Sequence, residues 1–201
     1  MGFHGCDRAV GEKVLAGKQT LKPSNNDYDW LGSGIYFWEG NPARALQFAH
    51  ECAENGKLTK GRIYQPFVIG AVIDSGVCCN LWETSSLDAK AHSIAKQALG
   101  TALPANHGGS DRLLRRLDRA VIEVMHVARE EQGLPAYDSV RSAFEEGEEF
   151  YPGSAFRKKS HIQIAVRNPA CIKGFFLPIR RRSPGKPESR GGNDRLRNVA
   201  A

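Results

Sequence analysis

The stretch Trp30-Leu31-Gly32-Ser33-Gly34-Ile35-Tyr36-Phe37-Trp38-Glu39 decides how this chain is read. Two glycines run straight into a short apolar and aromatic segment. Glycine permits a tight turn and lets backbone approach another group closely. The β-branched and aromatic residues after it favour a strand, expected over Leu31 to Trp38. An exposed aromatic face at its head would offer a planar group somewhere to stack. A second short strand is expected at the start, residues 2 to 6, carrying Phe3-His4-Gly5-Cys6.

Outward from these two strands the chain alternates irregularly. Asp7 is placed to cap a helix that runs to about Leu15 and stops at Gly17. Lys18 to Asp29 is polar and loop-like, and Asn41-Pro42 opens a second helix, with Gly56 as its stop. Phe67 to Ile73 reads as a buried strand and Val77 to Leu81 as a short one. A helix is expected over Thr84 to Leu99, a loop over Gly100 to Gly109, and a long helix from about Asp111 to Gln132. The apolar stripe of that long helix is Leu113, Leu114, Leu117, Val121, Val124, Met125 and Ala128. Strands follow at Tyr137 to Phe144, His161 to Val166 and Ile172 to Ile179. A long acidic connection containing Glu145, Glu146, Glu148 and Glu149 precedes the second of these. Strands and helices mix without regular strand–helix–strand alternation, so the expected class is α+β rather than doubly wound.

The 201 residues suffice for one domain with a real core. Hydrophobic content of 41% and charged content of 25% are those of an ordinary globular chain. No apolar run is long enough to span a bilayer and no secretion signal opens the chain, so the cytoplasm is the expected location, with no membrane partner. The five cysteines show no zinc spacing and read as reduced thiols. The net charge of +6 is uneven: from Arg180 onward seven basic residues face two acidic ones, leaving residues 1–179 nearly neutral. The expected organisation is therefore one catalytic domain over 1–179 and a basic, disordered tail over 180–201. Such a tail suits phosphate contacts with nucleic acid, or is an ordinary solvated end.

Several chemistries fail on spacing. Gly32 and Gly34 lack the third glycine of a dinucleotide-fold turn, where Phe37 stands, and no helix follows. There is no phosphate-cradling Walker sequence and no Gly-x-Ser-x-Gly elbow. His50-Glu51 lacks the second histidine of a zinc protease. Cys6 beside His4 has no orienting third group.

Three separated pieces together resemble the histidine–tyrosine–glutamate branch of the ADP-ribosyltransferase superfamily. They are His4-Gly5; Gly32-x-Gly34-Ile35-Tyr36-Phe37 with the following helix bearing Ala45 and Phe48; and Gln163-Ile164-Ala165-Val166-Arg167-Asn168-Pro169. Their order and rough spacing match over residues 2 to 179. The lead-in Asn26-Asp27-Tyr28-Asp29-Trp30-Leu31-Gly32 is similar to bacterial proteins that include phage-defence toxins placing ADP-ribose on messenger RNA. The resemblance implies a mixed β-sheet core with flanking helices and NAD as co-substrate, without a metal. His4 would bond a ribose hydroxyl and the Gly5 backbone would clamp the nicotinamide carboxamide. Gly34 would let backbone approach the cofactor, and Tyr36 would stack on the nicotinamide ring with Phe48 as second wall. Gln163 would stand at the position of the family's glutamate, so His4, Tyr36 and Gln163 form the implied catalytic set.

Glutamine keeps hydrogen bonding but lacks the charge and basicity of glutamate, so single transfer is expected rather than chain elongation. A base would then come from the acceptor side, where Glu148, Glu149 and His161 are the candidates together with Glu145 and Glu146. RNA is the favoured acceptor and protein the alternative, and a toxin would require a neutralising antitoxin protein. A non-catalytic NAD- or ADP-ribose-binding module, or an RNA 2′-phosphotransferase on the same fold, are the competing readings.

Overall fold

The computed structural model describes residues 1–56, 58–59, 61–83, 96–97, 100, 103–107 and 114–179. Among them seven strands form one sheet in the order β4-β5-β6-β2-β1-β3-β7. The strands are β1 (Gly2–Asp7), β2 (Ile35–Glu39), β3 (Pro66–Ile73), β4 (Cys78–Asn80), β5 (Ser139–Phe144), β6 (His161–Val166) and β7 (Ile172–Phe176). All neighbours pair antiparallel except β4 with β5, which is parallel. Three α-helices are described: α1 (Arg8–Leu15), α2 (Pro42–Glu54) and α3 (Arg116–Glu131). The mixed sheet and its flanking helices make an α+β fold. No helix among the described residues is long and apolar enough to cross a membrane.

Alternation along the strands splits the core in two. Cys6, Ile35, Phe37, Phe67, Ile69, Ala71, Ile164 and Val166 bury one face beneath Val14 of α1. On the other face Phe3 and Trp38 pack with Ala45 of α2, while Val140, Phe144 and Ala165 pack with Ile122 of α3. The candidate functional side chains lie mainly on this second face.

The helix starts follow their caps. Asp7 accepts the Ala9 N–H at 2.9 Å, and its other oxygen takes the N–H groups of Tyr64 and Gln65. Asn41 accepts from the Arg44 N–H at 2.9 Å, with Pro42 as the first helical residue. Gly17 ends α1 with φ of +67°. Asn168 caps the single 3₁₀ turn Pro169–Cys171 through the Ala170 N–H.

Three expectations are corrected. The strand expected from Leu31 begins at Ile35. Gly32 turns the chain with φ of +77°, and the Ser33 N–H goes to a side chain, Glu123, instead of a neighbouring strand. The last strand ends at Phe176, with Leu177 and Ile179 exposed beyond it. In α3 the buried residue is Ile122, outside the expected stripe, while Leu114 lies exposed before the helix begins. Ile122 packs against Leu31, and a side chain on Gly32 would meet it at 3.1 Å. Glu123 lies beside Ile122 and accepts the Ser33 N–H, so the helix seats itself through polar as well as apolar contacts. The helix expected over Thr84–Leu99 and the basic tail fall outside the described residues, apart from positions 96 and 97.

Gly5 fixes how closely α2 approaches the sheet. A Cβ there would stand 2.2 Å from the Ala45 carbonyl oxygen, a backbone atom that cannot move aside. Gly5→Ala is expected to lower stability by at least the roughly 1–3 kcal/mol typical of overpacking, read as a reduced urea midpoint with an unchanged slope.

Candidate functional site

β1 lies between β2 and β3, but its two ladders differ in length. Against β3 it pairs at six positions, from Gly2 to Asp7. Against β2 it pairs only at Gly2–Glu39 and Phe3–Trp38. Beyond Phe3 the two strands part, and the His4 side chain enters the junction. Its Nδ1 lies 2.8 Å from the Tyr36 carbonyl oxygen. A carbonyl only accepts, so Nδ1 carries the proton and Nε2 is left with its lone pair. Burial lowers the His4 pKa despite that carbonyl bond, so the ring is neutral at pH 7.

Tyr36 is half-buried and tied down at its hydroxyl. The O–H donates to the Gly32 carbonyl at 2.7 Å and accepts from the Leu31 N–H at 2.8 Å. Burial, followed by the nearby Asp29 carboxylate, raises its pKa well above the ordinary phenol value. The turn that receives these bonds is held from α3. Glu123 Oε1 accepts the Ser33 N–H at 2.7 Å, and its Oε2 lies 3.5 Å from Arg167, which also donates to Ser33 Oγ at 3.2 Å. Burial works against the Glu123 charge, yet the Ser33 N–H and Arg167 outweigh it and lower its pKa. Gly34 is required by a close approach to β6, where an added Cβ would meet the Val166 carbonyl at 3.0 Å.

β6 sits beside β2, with Trp38 opposite Gln163 and Tyr36 opposite Ala165. Tyr36, Trp38, Gln163 and His161 therefore project from one face of the sheet. His4 alternates to the other face, where its ring lies 5.7 Å from Phe37, so it reaches Tyr36 through the main chain. Phe48 is placed against Trp38, ring centroids 4.9 Å apart, so Trp38 is its aromatic neighbour. Among the acceptor-side candidates, Glu148 pairs with Lys158 at 3.1 Å and Glu149 accepts the Gly153 N–H at 2.8 Å. Both brace the exposed hairpin between β5 and β6. His161 is different: its ring is buried beside Trp30, Trp38 and Phe144.

A buried charge cluster closes this side. Arg44 of α2 binds both oxygens of Glu146 through Nη2, at 3.0 and 3.1 Å. Its Nη1 lies 3.4 Å from Glu51, which holds Lys159 at 2.8 Å. Glu146 Oε2 is 3.6 Å from His161 Nδ1, whose proton goes to the Lys159 carbonyl at 2.6 Å. Sequence reasoning grouped Glu146 with its acidic neighbours and passed over Arg44, because 102 residues separate the pair. It also passed over Glu123. The one available signal was a lone Arg on the otherwise apolar face of α2. Among the described residues no three His, Cys, Asp or Glu side chains gather closely enough to hold a metal ion.

No family model matches the sequence, and no solved structure matches it. An uncharacterized protein of Methanocaldococcus jannaschii is 26% identical to it over 187 residues, 85% of this chain and 83% of that protein.

Breaking a buried ion pair from one side leaves a charge stranded. Arg44→Met or Glu146→Leu alone is expected to cost about 3–5 kcal/mol in chemical denaturation, and the double variant less than either single one. A second expectation concerns acid. Burial, aided by Arg167, holds the His126 pKa at about 4, against 6.5 when unfolded. The unfolded chain then binds a proton that the folded chain refuses, so His126 removes stability as pH falls from about 6.5 towards about 4. His126→Leu should flatten that part of a stability-against-pH curve.

Proposed function

We propose that the chain is an NAD-dependent mono-ADP-ribosyltransferase whose acceptor is RNA, working as a phage-defence effector. The observation that carries this reading is the parting of β1 from β2 after Phe3–Trp38, with the His4 ring at the junction and Tyr36 and Gln163 on adjoining strands. Two central strands that stop pairing beside a buried histidine, with an aromatic ring next along the sheet, suit a bent dinucleotide.

In this reading His4 Nε2, the nitrogen left bare by the Tyr36 carbonyl, accepts from a ribose hydroxyl. The Gly5 backbone clamps the carboxamide, and Gly34 lets the turn approach the cofactor. Tyr36 is held by its hydroxyl bonds while its ring face meets nicotinamide. Nicotinamide is already cationic in NAD and leaves as a neutral molecule, so its departure needs no acid. Positive charge develops on the ribose, and the site acts by holding the dinucleotide in place. Gln163 hydrogen-bonds the nicotinamide-side ribose without supplying a negative charge, which favours one transfer over chain growth. The match of residues and their order, together with the basic tail, favours RNA; a protein acceptor is the alternative. A toxin of this kind calls for an antitoxin partner.

The test is mass spectrometry of RNA and protein after incubation with NAD, seeking the ADP-ribose mass addition. His4→Ala and Tyr36→Ala are expected to abolish it, a loss on the order of 10²-fold or more for misplaced groups. Gln163→Ala should reduce it by roughly tenfold, the scale of one lost hydrogen bond. Binding of NAD with no nicotinamide release under any acceptor would favour the non-catalytic module instead.

A further inference from the structure

One peptide unit, Gly32–Ser33, is bound on both of its edges. Its carbonyl accepts the Tyr36 hydroxyl at 2.7 Å, and its N–H donates to Glu123 Oε1 at 2.7 Å. A peptide plane is stiff, so its C=O and N–H turn together. Rotating this one breaks both bonds at once. The carboxylate also polarises the amide through its N–H, which makes the carbonyl on the other edge a stronger acceptor. The grip of Glu123 is thus passed to the tyrosine hydroxyl through a single amide.

The peptide needs such a hold. Gly32 carries φ of +77°, in the left-handed region that glycine enters freely, so no Cβ limits its rotation. Gly34, by contrast, is fixed by main-chain bonds exchanged with Ser24 at 2.7 and 3.1 Å. Glu123 is itself steadied. Arg167, just past the end of the strand that carries Gln163, lies 3.5 Å from its Oε2 and donates to Ser33 Oγ at 3.2 Å. The Ser33 N–H and Arg167 keep the carboxylate ionised against burial.

Tyr36 is fixed at its Cα by the ladder to Ala165 and at its far end by the hydroxyl bonds to Gly32 and from Leu31. With both ends held, the plane of the ring is set. A group that stacks on it meets a surface already in place, and little side-chain freedom is lost on binding.

We propose that Glu123 is a positioning residue for the dinucleotide: from α3 it holds the Gly32–Ser33 peptide and so presets the Tyr36 ring, with Arg167 steadying it. The inference rests on the NAD reading above. Glu123 acts in it through Tyr36 and is not a catalytic residue.

The experiment is a double-mutant cycle on NAD affinity, measured by calorimetry with the full chain and NAD alone. The variants are Glu123→Ala, Tyr36→Phe and the two together, each checked for folding by circular dichroism. Glu123→Ala is expected to weaken NAD binding roughly tenfold, the scale of a hydrogen bond to a charged group. Tyr36→Phe keeps the ring, loses the hydroxyl and should weaken binding by a similar factor. The double variant should bind no worse than either single one, because both break the same linkage. Glu123→Gln keeps an oxygen that can accept from Ser33 and should recover most of the affinity. Effects that multiply, to roughly 10²-fold in the double variant, overturn the proposal. So does a lowered denaturation midpoint in Glu123→Ala with NAD affinity unchanged, the mark of a merely structural carboxylate; that result leaves the NAD reading intact. Should Glu123→Ala fail to fold, Arg167→Met takes its place in the cycle, and unaltered affinity in it is equally fatal. No NAD binding by the unaltered chain defeats both readings.

Discussion

The seat of α2 on Gly5 governs much of this molecule. With no side chain at Gly5, the Ala45 carbonyl lies directly over β1. That approach brings Arg44, the preceding residue, down over Trp38, its guanidinium 5.8 Å from the ring, and buries it. A buried guanidinium requires a carboxylate. Glu146 supplies one and thereby anchors the start of the β5–β6 connection. The other end of that connection is Lys159, held by Glu51 of the same helix, and Lys159 fixes the tautomer of His161. A single missing Cβ on the first strand is thus linked, contact by contact, to the protonation of a histidine on the sixth.

The same strand explains why the sheet opens where it does. β1 gives β3 a full ladder and β2 a short one, so the sheet stays continuous while its middle parts. The His4 ring fills the seam with one hydrogen bond to main chain. Across the seam, the Gly32–Gly34 turn is fixed by Glu123 and Arg167 and in turn holds the Tyr36 hydroxyl. Each side of the opening is rigid by its own network.

The strands were legible because their β-branched runs were bounded by Gly, Pro and Asn, and both N-caps were visible in Asp7 and Asn41. His161 and Gln163 were legible as sharing a face because they stand two apart on one strand; that Tyr36 joins them follows only from the pairing of β2 with β6. Other features were hidden for physical reasons. Gly5 reads in sequence as a ligand-facing glycine, but it also has a packing cause that only the position of α2 reveals. Ile122 escaped because α3 docks through Glu123 as well as through apolar residues. The Arg44–Glu146 pair joins residues far apart in the chain, and no local pattern marks such a partnership. Phe48 was assigned to Tyr36 by order along the chain, whereas the helix turns it toward Trp38.

The attachment of α3 carries a last consequence. Arg116 holds Asp27 at 2.8 Å and Arg119 holds Asn25 at 2.6 Å, while Glu123 grips the turn at Ser33. Charged and polar contacts to the loop before β2 thus supplement the apolar seam at Ile122. Ionic strength weakens such contacts far more than it weakens an apolar seam. Part of this helix's attachment is therefore sensitive to salt. Its loosening would release the turn on which the Tyr36 hydroxyl is hung.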